Sequence, residues 1–223
     1  PRRHGPERQD VVQRRLREGL RVRRLPNGLD PEHNALHLLV RAECDHRGPP
    51  DGADEDAGQF WTDFIAETAP EFRKPTIEQL STFIQPTYQA LIDGAKYCEP
   101  RLREIISMHR PDVIVEDNVV LFPALATAGV PFVRIVSCSP LEIPGPDVPP
   151  PFSGLPSADR TQWDSYRAEF ERSHRAMWED FNGWVQAQGA DALPDLEFMP
   201  RATAANLYVY PAEADYLQSR PLD

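Results

Sequence analysis

No stretch of this chain holds the roughly eighteen consecutive apolar residues that a membrane-spanning helix needs, so an integral membrane protein is not expected. The Arg-rich beginning lacks the apolar segment that a secretory signal carries. Cysteine is scarce as well: Cys44, Cys98 and Cys138 are odd in number and scattered. That usage suits neither a disulfide framework nor a zinc-ligand spacing, and points to a reducing cytoplasm. Each thiol is expected to be a buried structural one. A Walker A loop and a dinucleotide glycine fingerprint are both missing. So is a nucleophile elbow with a serine triad, which leaves a hydrolase with little support. No cluster of ligating side chains suggests a metal.

Positive charge is in short supply overall. The net charge of -11 at pH 7 argues against nucleic acid as a partner. Its distribution is uneven: residues 1–50 hold eleven arginines against seven acids, whereas 51–223 hold 13 Lys plus Arg against 28 acids. Composition therefore breaks near Asp51. Before the break, "PRRHGPERQDVVQRRLREGLRVRRLPNG" has Arg pairs and few apolar positions, and only Asn34–Glu43 resembles an ordinary element. His4, His33, His37 and His46 also lie here. Two readings stay open for 1–50: a basic tail that binds an acidic partner, or non-native sequence, such as a GC-rich gene gives when read out of frame. In both it is an atypical segment, not expected to fold as an ordinary domain.

After the break the chain becomes regular. "DGADEDAGQF" reads as a loop into an acidic helix start, and "FWTDFIAETA" as a short helix. Ile77, Leu80, Ile84, Tyr88, Leu91 and Ile92 recur at spacings of three and four, a core-facing helical stripe. Pro86 and Pro100 are expected to kink or split that helix. "PDVIVED" reads as a short strand buried on both faces. Asn118 or Asp117 would then cap a helix "VVLFPALATAG" that Gly129 ends. "VPFVRIVS" is the next strand, completing a βαβ unit with a parallel pair. Seven prolines between Pro140 and Pro156 suit either a loop that shapes a cleft or a passive linker. A helix over about 159–188 carries Trp163, Tyr166, Phe170, Met177, Phe181 and Trp184 at helical intervals. Most of that stripe is expected in the core, with a fraction facing a hydrophobic ligand. Leu207–Tyr210 reads as another short buried strand. The fold class expected is α/β, a parallel sheet flanked by helices.

The segment "RPDVIVEDNVVLFPALATAGVPFVRIVSCSPLE", the Pro-rich loop, the aromatic helix and "NLYVYPAEADYL" together resemble the N-terminal half of bacterial glycosyltransferases of the macrolide and antibiotic type. These belong to the UDP-glycosyltransferase superfamily, with two facing Rossmann-like domains, the GT-B fold. The resemblance spans about Asp51 to Asp223. It implies a Rossmann-like acceptor-binding domain incomplete at its start, with the nucleotide-sugar domain outside the chain. The implied reaction moves a hexose from a nucleotide-activated sugar to a hydroxyl of a small hydrophobic acceptor, with inversion. The nucleotide sugar is then a co-substrate, and neither a metal nor a bound cofactor is required.

By its position after "PDVIV", Asp117 matches the acid that pairs with the general-base histidine of that family. A carboxylate bonded to one imidazole nitrogen fixes the tautomer and stabilises the imidazolium that forms. Read from the residues alone, Asp117 is first a helix cap, and only the resemblance makes it the catalytic partner. Glu116 would point the other way along a strand and is the weaker candidate. Asn118, Ser137, Cys138, Ser139 and Phe152 are the candidate acceptor-binding residues. Ser137–Ser139 end the second strand, where α/β sheets bind ligands, although turn chemistry accounts for them as well. The histidine itself is not found: no strand with a following Gly-His opens the chain, His109 precedes the strand, and His174 sits on the aromatic helix as a surface or packing residue. The chain alone is therefore expected to be inactive. The alternative is a non-catalytic α/β domain that binds a small molecule or another subunit.

Overall fold

The computed structural model describes residues 57–216 and Ser219. The basic segment 1–50, with its expected element at Asn34–Glu43 and with Cys44, and the acidic lead-in at 51–56 lie outside the described residues. Helix α1 (Ala57–Thr68) leads through a 3-10 turn to α2 (Thr76–Gln79), a π turn (Leu80–Ile84) and the long α3 (Gln85–His109). Strand β1 (Ile114–Glu116), the single turn α4 (Pro123–Ala126) and strand β2 (Phe132–Val136) follow. A 3-10 turn (Pro140–Glu142), helix α5 (Trp163–Ala187) and strand β3 (Ala205–Tyr208) come next.

The π turn stands where proline demands it. Pro86 has no N–H to give and its ring crowds the carbonyl four residues back. The helix widens just before it, and Gln85 N bonds Leu80 O. Pro100, by contrast, lies inside α3 without breaking it. The helix ends at Arg110, whose left-handed φ of 47° lets its N–H bond Ile106 O at 2.8 Å. Pro111 then prevents continuation.

The fold is mixed α/β, with a small parallel sheet in the order β1-β2-β3, flanked by helices. Register puts Ile114 beside Phe132 and Glu116 beside Arg134. Because side chains alternate along a strand, these four share the face that packs on the helices. Val115, Val133, Ile135 and Leu207 share the other. That second face is only partly covered: Val115 is 39% exposed and Leu207 43%. Two expectations are corrected here. Strand β1 is buried on one face rather than both, and the last strand is a half-exposed edge that begins two residues earlier than expected.

The helix expected over 119–129 shrinks to α4. Asn118 Oδ1 accepts the amides of Val119 and Val120 (2.7 and 3.3 Å), closing a local turn in place of a helical one. Leu121 N bonds Phe198 O at 2.9 Å, which holds this stretch extended. Pro123 suits a first helical turn, and the carboxylate of Glu99 on α3 accepts the amide of Ala124 at 3.0 Å. Asp117 is thus not a helix cap.

The core joins Ile92, Ala95 and Leu102 of α3 to Ile114, Phe132 and Phe181. The Phe181 ring stacks against Trp184 and Phe198 at centroid distances of 5.7 and 6.2 Å. The Pro-rich stretch is fastened at both ends. Arg167 Nη2 on α5 donates to the carbonyls of Gly145, Pro146 and Val148 (3.3, 3.4 and 3.0 Å), while Thr76 Oγ1 donates to Ser153 O at 2.7 Å. It is a fixed arch, not a passive linker. Truncating Phe181 to Ala is expected to cost about 3–5 kcal/mol, the usual range for a buried aromatic ring. Ile65→Ala, on an exposed side chain of α1, should change stability by less than about 0.5 kcal/mol. Urea unfolding of the two variants compares them directly.

Candidate functional site

Under that arch lies a cavity of about 790 Å³, within the size range of small-molecule sites. Its walls are Phe83 and Ile84 of the π turn, Tyr88 and Leu91 of α3, and Tyr166 and Phe170 of α5. Pro150, Pro151 and Phe152 close it from the arch, and Phe198 and Met199 from the segment before β3. Arg134, Cys138, Ser139 and Glu142 line the end nearest the sheet. Both helical stripes are therefore divided. Leu80 and Ile92 are core, whereas Ile84, Tyr88 and Leu91 are cavity wall. On α5, Met177 and Phe181 are core, whereas Tyr166 and Phe170 are wall.

At the carboxyl edge of the strands, Ser137 Oγ donates to Asp117 Oδ1 at 2.5 Å. Glu142 folds back over the next two residues, and its Oε1 accepts the amides of Cys138 (2.7 Å) and Ser139 (2.9 Å). Ser139 Oγ in turn accepts Leu141 N at 3.1 Å, the reciprocal arrangement of a capping box. Of the residues expected around an acceptor, Cys138, Ser139 and Phe152 line the cavity. Asp117 and Ser137 form a pair beside it, and Asn118 serves its own backbone. Cys98 is buried as expected, but Cys138 is exposed, because the turn holds it at the sheet edge.

Sequence reasoning overlooked the centre of this arrangement. Arg134, on the packed face of β2, is only 2% exposed. Its Nη1 donates to Met199 O at 3.3 Å and its Nη2 to Glu142 Oε2 at 3.0 Å. Beside it in register, Glu116 is 5% exposed. Neither of its carboxyl oxygens has a hydrogen-bond partner among the described residues, and nor does Arg134 Nε. Burial holds the Glu116 carboxyl well above the ordinary range, against the pull of the Arg134 charge, and the neighbouring Asp117 adds to the rise. A perturbed carboxyl beside a cavity is the sort of group that functional sites employ. The signal in the sequence was one arginine inside the otherwise apolar "PFVRIV".

Neither described histidine bonds Asp117. His109 ends α3 in solvent. His174 is wholly buried, so its surface alternative is ruled out and its packing role stands. The ring stacks on Phe170 (4.1 Å between centroids, 11° between planes) and meets Tyr88 edge-on at 6.2 Å. His174 Nδ1 lies 2.8 Å from Ser173 Oγ and 3.1 Å from Phe170 O, and Ser173 Oγ also bonds Glu169 O at 2.7 Å. Burial lowers the imidazole pKa to about 4, so it is neutral. Among the described residues, no group of three or more His, Cys, Asp or Glu could hold a metal ion, and no helix is long and apolar enough to cross a membrane. No family model matches the chain, and no curated protein matches it either.

The two buried groups make stability depend on pH with opposite sign. For His174 the folded pKa of about 4 lies below the ordinary 6.5, so the unfolded chain takes up its proton first. Stability is lost as pH falls through that window. For Glu116 the folded pKa lies above the ordinary 4.5, so the folded chain keeps its proton longer and stability is lost as pH rises. Urea midpoints should show Glu116→Gln gaining on wild type more at pH 8 than at pH 5. His174→Phe should flatten the decline below pH 6.5. Parallel pH profiles for wild type and both variants would contradict this assignment.

Proposed function

We propose that this domain is the acceptor-binding half of a glycosyltransferase, a Rossmann-like domain of a GT-B enzyme. It would present a hydroxyl of a small hydrophobic molecule to a nucleotide-activated hexose. One observation carries the reading: the cavity reaches Cys138 and Ser139 at the carboxyl edge of parallel strands, next to the Asp117–Ser137 pair. Ligands of α/β sheets bind at that edge.

In this scheme Asp117 accepts the N–H of a histidine from outside the described residues and fixes its tautomer. The other imidazole nitrogen takes the acceptor's hydroxyl proton as that oxygen attacks the anomeric carbon. The bond from that carbon to the nucleotide's phosphate oxygen breaks on the opposite side, its electron pair leaves with the phosphate, and the centre inverts. The nucleotide sugar is held by a donor domain beyond these residues, and the cavity contributes binding and orientation. The scattered thiols fit a cytoplasmic setting.

A second reading has its own support. Ser137, not a histidine, bonds Asp117 Oδ1, which is all that tying the ends of β1 and β2 together requires. The domain would then bind a small molecule or a subunit without catalysis.

The full chain, mixed with UDP-glucose and the phenol 4-methylumbelliferone, should bind the phenol and transfer nothing. Joined to both a histidine-bearing N-terminal segment and a donor-binding domain it should transfer, and Asp117→Asn should then lower kcat by about 10²-fold or more with phenol affinity unchanged. Transfer by the chain alone contradicts the division of roles. Undiminished transfer by the Asn variant favours the binding-domain reading.

A further inference from the structure

We infer that Tyr88 on α3 holds a small, uncharged aromatic ligand by the ligand's hydroxyl oxygen, at the sheet end of the cavity. This rests on the cavity being a ligand site, in either of the two readings above. Tyr88 lines the cavity and is half-buried. No hydrogen bond joins its hydroxyl to another described residue, and that oxygen is not sealed from water as the hydroxyls of Tyr166 and Tyr210 are. Its ring is wedged between Phe198 (4.6 Å between centroids), Phe152 (6.0 Å, edge-on) and His174 (6.2 Å, edge-on). Phe152 and Phe198 are themselves cavity wall. With rings on three sides and α3 behind, the open surface of the hydroxyl is the cavity. Packing here needs only the ring, so the hydroxyl is a group in excess of what the wall requires.

Charge narrows the ligand class. Burial pushes the Tyr88 phenol above its ordinary range, Glu142 and Cys138 add to the rise and Arg134 opposes it, so the group is a neutral donor. Those three neighbours all line the sheet end of the cavity. An anion brought to Tyr88 would meet Glu142, and no cation is spare: Arg134 is engaged by Glu142 and Met199 O, Arg167 by the arch carbonyls. A cation there would meet Arg134. A neutral oxygen meets neither penalty. A hydroxyl that accepts from Tyr88 also keeps its own proton free, which sugar transfer would require of it. The faces of Phe152, Phe170 and Phe198 supply flat apolar surface for the rest of the ligand. The open hydroxyl bonds water when the cavity is empty, so exchanging that water for a ligand oxygen returns only the net value of one hydrogen bond.

The test measures equilibrium dialysis of the full chain with three probes of similar shape: 2-naphthol, 2-methylnaphthalene and the anion 2-naphthoate. Exchanging Tyr for Phe in the protein and hydroxyl for methyl in the probe closes a double-mutant cycle around one bond. Tyr88→Phe should weaken 2-naphthol about three- to tenfold, leave 2-methylnaphthalene unchanged and melt no lower than wild type. Wild type should hold 2-naphthoate more weakly than 2-naphthol. Phe152→Ala, which removes a half-exposed ring from the cavity wall, should weaken 2-naphthol and 2-methylnaphthalene alike. The inference fails if wild type binds neither neutral probe, if Tyr88→Phe weakens both equally or leaves 2-naphthol unchanged, if 2-naphthoate binds as tightly as 2-naphthol, or if Phe152→Ala weakens neither. The expected cycle without sugar transfer by the fused protein would retain the ligand site and remove the transferase reading. Transfer without the Tyr88 effect would do the reverse.

Discussion

A guanidinium group buried in the middle of a sheet must find partners, since removing its charge from water costs more than bare packing returns. Arg134 on the central strand meets that demand with Met199 O on one side and Glu142 on the other. Each partner carries a segment with it. Glu142 uses its second oxygen on the amides of Cys138 and Ser139, fixing the turn after β2. The Met199 segment is set in place, and its neighbour Phe198 offers its carbonyl to Leu121 N. Trp178 on α5 bonds the carbonyl of Glu197 in the same segment. The sheet end of the cavity, the strand-edge turn and the approach to β3 thus all depend on one side chain. Arginine suits the task because its planar fork serves several acceptors at fixed angles.

A second arginine does comparable work at the roof. Arg167 collects three carbonyls of a proline-rich stretch that has few N–H groups of its own to offer. Prolines lower the entropy the arch would lose on being ordered, and the guanidinium settles where it lies. Between arch and sheet, Glu116, Tyr166 and His174 all keep buried polar atoms without partners among the described residues. A domain selected for stability alone would have apolar residues at such positions. Of the three, Tyr166 lines the cavity, whereas Glu116 and His174 lie behind its wall.

The sequence made some of this legible. Strands β1 and β2 and their parallel pairing follow from short apolar runs between Pro111, Gly129 and Pro131, and the acid at the strand end was visible at Asp117. Periodicity also identified the inward faces of α3 and α5. It did not tell core from cavity, because Ile84 and Ile92 obey the same spacing and differ only in what stands opposite. The helix after Asn118 was misjudged because one Asx turn and a single tertiary bond, Leu121 N to Phe198 O, override helical propensity. Exposure of β3 was not legible either. It depends on what covers the second face of the sheet, which no local pattern records.

The two acids that end β1 show how a site and its cost are linked. Alternation along the strand sends Glu116 to the packed face and leaves Asp117 at the open edge with Ser137. A strand that ends in two carboxyls therefore cannot offer one without burying the other. Arg134 in register beside Glu116 offsets that burial through charge, although no hydrogen bond joins the two. An apolar residue in place of Glu116 would remove the desolvation cost and leave the one ion pair of Arg134 among the described residues, that with Glu142, as it stands. Glu116 thus stays off the cavity lining, and it is the bonds of Arg134 to Glu142 and Met199 O, not the buried acid, that fix the turn beside the cavity.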